Sequence, residues 1–174
     1  MHSRDISLFV LFLTVAATVG CTTHGQHDEA SMASTVTIAD QWASSADSGM
    51  AAVFGTFTNT GHHDARVVSG YSDVAERVEV HEVSAGTDGA KTMRPKEGGL
   101  VIPADGSHDL VPGGDHLMLM DLKQPLPPGS EVALSVEFED GSTLPVTAQV
   151  RDFAGADEEY QPSTGGSGPH RDHG

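Results

Sequence analysis

Short apolar and polar stretches alternate along most of this chain. In Glu131–Asp140, Val132, Leu134, Val136 and Phe138 fall on one face. After the turn Asp140-Gly141, Leu144, Val146, Ala148 and Val150 do the same. Alternation of period two is the mark of a half-buried strand, and two such runs about a turn predict a hairpin. Pro145 inside the second run predicts an edge position or a bulge there. Further strands are expected over Thr35–Trp42, Met50–Asn59, Ala65–Tyr71, Arg77–Val83, Lys91–Pro95, Leu100–Pro103 and Gly106–Pro112, separated by stretches that carry Gly or Asp. No stretch carries a convincing helical period, so the expected fold is all-β, a sandwich or barrel.

Asp115–Asp121 alternates in an unusual way. His116, Met118 and Met120 share one face, and Leu117 and Leu119 share the other. Two readings stand side by side. Methionine fills irregular cores, and a lone strand histidine is commonly structural. Thioether sulfur and neutral imidazole are also the donors that suit Cu(I), and they suit Mg or Ca poorly. Arg77–Val83 adds a second histidine, with Val78 and Val80 on one face and Glu79, His81 and Val83 on the other. Gly86-Thr87-Asp88-Gly89 reads as a hairpin loop. A hairpin centred on Thr87 sets His81 opposite Met93, with Cβ atoms about 4.5–5.5 Å apart. A slip of one residue would turn Met93 to the other face. The adjacent His62 and His63 diverge if extended and read as a solvated loop.

Length and charge narrow the classes. The 174 residues suffice for one domain with extensions. Nine Lys and Arg against 25 Asp and Glu give a formal net charge of −16, which disfavours nucleic acid and anionic membrane surfaces as electrostatic partners. The single cysteine, Cys21, permits no intrachain disulfide and no cysteine-based zinc site.

Residues 1–20 read as a signal peptide, with Arg4 before the apolar run Ile6–Val19, which is too short to span a bilayer comfortably. Thr18-Val19-Gly20-Cys21 resembles a bacterial lipoprotein processing site, with Thr18 where Leu is usual. The resemblance implies a lipidated Cys21 and an extracytoplasmic, membrane-anchored protein. The domain boundaries expected are a flexible tether at 21–34, the β domain at 35–152 and a disordered acidic, Gly/Ser-rich tail at 153–174. His170 and His173 in that tail are candidates for Cu(II).

The region Thr35–Arg151 resembles the periplasmic copper chaperone family PCu(A)C. The resemblance is carried by Val80-His81-Glu82, by Met93-Arg94-Pro95 with Glu97-Gly98-Gly99-Leu100 and Ile102-Pro103, and by Pro112-Gly113-Gly114-Asp115-His116-Leu117-Met118-Leu119-Met120 with Leu122-Lys123. It implies a cupredoxin-like Greek-key β-sandwich and a Cu(I) site made of His81, Met93, His116 and Met118. Glu82 replaces a methionine that often follows the first histidine, and the spacing from Met93 to His116 is one residue longer than the common motif. Neither departure removes a ligand. Met120 lies outside the motif as a reserve sulfur.

Two imidazoles and two thioethers are all neutral, which favours the monovalent ion and leaves release feasible. A blue-copper electron carrier needs a Cys ligand, and Cys21 stands at the expected mature N-terminus. The resemblance therefore implies a non-enzymatic carrier that delivers Cu(I) to a cytochrome oxidase copper centre, directly or through a Sco-type thiol chaperone. The alternatives are a copper scavenger or buffer using the tail histidines, a copper enzyme, and a metal-free β-sandwich interaction module.

Overall fold

The computed structural model describes residues 30–85, 91–153 and 159–160. The leader with Cys21, the loop 86–90, and the tail with His170 and His173 lie outside the described residues. One helical turn, α1 (Met32–Thr35), precedes ten strands of the β domain: β1 (Val36–Ser44), β2 (Ala51–Asn59), β3 (Ala65–Tyr71), β4 (Ala75–Ala85), β5 (Lys91–Pro95), β6 (Leu100–Ile102), β7 (Gly106–Leu110), β8 (His116–Leu122), β9 (Glu131–Phe138) and β10 (Thr143–Arg151). A two-residue strand, β11 (Glu159–Tyr160), pairs in parallel with β5, within the segment expected to be a patternless tail.

The strands run in the order β11-β5-β4-β8-β2-β1-β10-β9-β3-β6, and a β3–β4 pairing closes the central strands into a flattened barrel, as the all-β reading anticipated. Closure depends on Gly70, which faces Val136 on one side and Val78 on the other. A Cβ at this position would lie 2.8 Å from the Ser135 carbonyl oxygen, so only glycine lets the strands approach. Inside the barrel sit Phe57, Leu100, Ile102, Leu117, Leu119, Val136 and Phe138, all fully buried.

The β9–β10 hairpin has the expected alternation, with Val132, Leu134, Val136 and Phe138 inward. Pro145 pairs only with Ser135 of β9, because β1 meets β10 only at Gln149–Arg151. It therefore occupies a locally free edge, where the missing N–H removes no ladder bond. Beside that opening β1 bulges between Ala39 and Trp42, and the Gln41 side-chain amide donates to the Thr147 carbonyl at 3.1 Å. The helical turn was not anticipated, since four residues are too few to show a period. It is pinned by long-range bonds, the Met32 N–H to the Asp140 carboxylate at 2.8 Å and the Ala33 N–H to the Ser142 hydroxyl at 3.0 Å.

Candidate metal centre

β8 is central, between β4 and β2, and both of its faces are buried. Leu117 and Leu119 point into the barrel opposite Val80 and Val78. His116, Met118 and Met120 point outward, yet are only 2%, 4% and 4% exposed. A second, smaller apolar cluster covers them there: Met93, Met118 and Met120, with Met50, Ala52 and Val83 packed against it.

The expected hairpin register needs correction. His81 pairs with Pro95, and Met93 pairs with Val83. The strand register is thus shifted by two positions from the expected one, which preserves the face. Met93 is thus a diagonal neighbour of His81, within reach of a long side chain. The residue directly opposite His81 is His116 on β8, with ring centroids 5.8 Å apart in an edge-to-face arrangement. The sequence pattern did not disclose this pairing, because β5, β6 and β7 intervene between β4 and β8 along the chain. His81, Met93, His116 and Met118 all lie on the outward face of the adjacent strands β5, β4 and β8.

Hydrogen bonds orient both imidazoles. The His116 Nδ1 lies 3.0 Å from the Gly114 carbonyl oxygen, which can only accept, so Nδ1 donates. In the neutral ring Nε2 then carries a lone pair, and it faces the Met93 Sδ at 3.0 Å. Two lone-pair donors so close are stabilised by a cation that both can share. Burial, reinforced by the nearby His81, pushes the His116 pKa below its ordinary value despite the Gly114 bond, which keeps the ring neutral and able to ligate. The Nε2 of His81, a fully buried side chain, is 2.9 Å from the Glu79 carboxylate two residues earlier on the same face. Arg77 Nε donates to the other Glu79 oxygen at 2.9 Å. Burial alone raises the Glu79 pKa, but the bonds from His81 and Arg77 outweigh it and leave the carboxyl below its usual range. Carboxylate and imidazole are thereby coupled as at many metal sites, where an acceptor sets the ring's tautomer and angle.

Aromatic rings continue this row across the sheet. Phe54 on β2 lies 5.9 Å from the His116 ring, and Trp42 on β1 lies 4.6 Å from Phe54. Phe153, just beyond β10, closes against both at 5.2 and 6.0 Å. On the other side, Lys96 bridges Glu82 at 2.9 Å and Asp115 at 3.2 Å, and His108 Nε2 meets Asp115 at 2.9 Å. The loop leading into His116 is held by these contacts. The sequence reading passed over Met50, Phe54, His108 and Asp115. Asp115 adjoins His116 in the chain, whereas only strand order brings the other three to the site. His62 is a solvated loop residue as expected, its side chain 88% exposed beside Asp105. Among the described residues no group of three or more His, Cys, Asp or Glu is placed to hold a metal.

The flattened β-barrel has the fold of PCuAC domains, as comparison with solved structures shows. The copper-bound PCuAC domain from PmoF2 superposes with a TM-score of 0.56 at 19% identity, covering 68% of this chain and 94% of that domain. The apo PCuAC domain from PmoF1 gives 0.56 at 18%, covering 68% and 95%. At these identities the likeness is one of fold. A relative from Leifsonia xyli subsp. xyli (strain CTCB07), named "Putative lipoprotein Lxx21020", is 40% identical over 164 residues, 92% of this chain and 95% of that protein. The LpqE-like family model matches residues 36–150, and the chain belongs to the LpqE-like family.

Proposed function

We propose that this protein is an extracytoplasmic Cu(I) carrier that holds the ion through His81, Met93, His116 and Met118 and hands it to an acceptor protein. The observation that carries the reading is the meeting of the His116 Nε2 and the Met93 Sδ at 3.0 Å, with His81 directly opposite His116 and Met118 two residues along the same face. The donor chemistry fits. Soft thioethers and neutral imidazoles select Cu(I), and the absence of an anionic ligand keeps the bound ion exchangeable. The names of the PmoF2 domain and of the lipoprotein relative point the same way. In this reading Cys21 is lipidated and anchors the protein to the cell membrane, and residues between it and α1 act as a tether.

The carrier performs no chemistry on an organic substrate. Delivery proceeds by ligand exchange, with an acceptor's thiolates replacing the thioethers one at a time. By family resemblance the acceptor is a cytochrome oxidase subunit or a Sco-type thiol chaperone.

Anaerobic Cu(I) titration with X-ray absorption of the bound metal tests the site. One equivalent with two nitrogen and two sulfur neighbours is expected, and a shell without sulfur overturns the assignment. Met93→Ala and His116→Ala are each expected to abolish tight binding, and full retention in both would reject this ligand set.

A further inference from the structure

Two sulfurs of the outer face, those of Met50 and Met120, belong to no part of the motif. Ala51 pairs with Leu119 and the Leu122 N–H donates to the Gly49 carbonyl at 2.8 Å, so Met50 sits beside Met120 and next to Met118. The chain has six methionines, and Met50, Met93, Met118 and Met120 all gather here. Met50 is half-buried and lines, with Met93, His116 and Met118, an open pocket of about 280 Å³ rimmed by Phe54 and Phe153. His81 does not line this pocket. It is fully buried and engaged with Glu79 at 2.9 Å. An ion arriving from solvent therefore reaches three thioethers and one imidazole before it reaches His81.

We infer that Met50 completes an outer Cu(I) position with Met93, His116 and Met118, from which the ion moves inward by exchanging Met50 for His81. The inference rests on the copper reading above. The step is redox-neutral: the Cu–S bond to Met50 breaks as a Cu–N bond to His81 forms, and the metal stays Cu(I). A thioether carries no proton, and neutral imidazole binds through the nitrogen that carries none, so no proton is exchanged. Release runs the same path in reverse and presents the ion at the pocket mouth, where incoming donors have access.

Stopped-flow capture of Cu(I) by the full-length chain in detergent under anaerobic conditions provides the test. Trp42, the single tryptophan, reports on the site through Phe54. Met50→Leu preserves bulk and apolarity but removes the donor, and capture is expected to slow about tenfold, a barrier rise of about 1.4 kcal/mol. Met120→Leu, outside the pocket, is expected to capture at the wild-type rate. In His81→Phe the ion is confined to the outer position, so X-ray absorption should show three sulfur neighbours and one nitrogen, falling to two sulfurs when Met50→Leu is added. Wild-type capture rates in Met50→Leu, or only two sulfurs in His81→Phe, overturn the outer position. If the wild-type chain takes up no Cu(I), the copper reading itself fails, and the two failures are thus distinguishable.

Discussion

The two faces of β8 are equally buried and chemically opposite. Leu117 and Leu119 fill the barrel with no polar atom to satisfy, whereas His116, Met118 and Met120, one residue out of phase, lie under a thin outer cover of Met50, Val83 and neighbouring rings. Burial by itself therefore does not mark a core. The inner face is built for density, and each methylene there contributes to stability. The outer face excludes water from weak donors, which keeps the imidazole neutral and leaves the thioethers without competition.

This contrast is breakable in graded ways. The largest effect is expected on the inner face: Leu119→Ala should cost about 2–5 kcal/mol in denaturant unfolding, while the fraction that remains folded keeps its Cu(I) stoichiometry. A smaller effect, on affinity alone, is expected from Glu79→Ala, because His81 loses the acceptor that orients it. Competition against a Cu(I) chelator should show roughly a 10–100-fold weaker site. Unchanged affinity would mean that packing alone positions the ring. Met118→Leu sharpens the comparison from the other side, since a volume-conserving change should move stability by less than about 1.5 kcal/mol while Cu(I) binding is lost. A large loss of stability there would return Met118 to the role of core filler.

The smallest effect lies away from the site. The Ser142 hydroxyl and the Met32 N–H hold the Asp140 carboxyl below its ordinary pKa. A folded-state pKa lowered in this way stabilises the fold above the unfolded carboxyl pKa of about 3.9 and is lost as pH falls through the folded value. The stability gap between wild type and Asp140→Ala should be constant near neutrality and close progressively below about pH 5. A gap that persists to the acid limit would assign the loss to the side chain's shape and not its charge.

Much of this was legible in the sequence. Period-two alternation in Glu131–Arg151 is a local property of consecutive side chains, so the hairpin and its buried face follow directly. The phase of His116, Met118 and Met120 against the leucines is local in the same sense, and so is the parity that keeps Met93 on the face of His81 despite a register shifted by two positions. The type of donor on that face is likewise a property of the residues themselves.

Tertiary structure decided the rest, because it depends on which strands become neighbours. Only the β4–β8 pairing sets His81 opposite His116, and only β2 beside β8 brings Met50 and Phe54 to the pocket. The closure at Gly70 and the pinning of Met32–Thr35 by Asp140, 108 residues away from Met32, are likewise long-range. Side-chain chemistry is written residue by residue. Proximity between distant strands arises from the packing free energy of the whole barrel, and it turned a pattern of donors into a site.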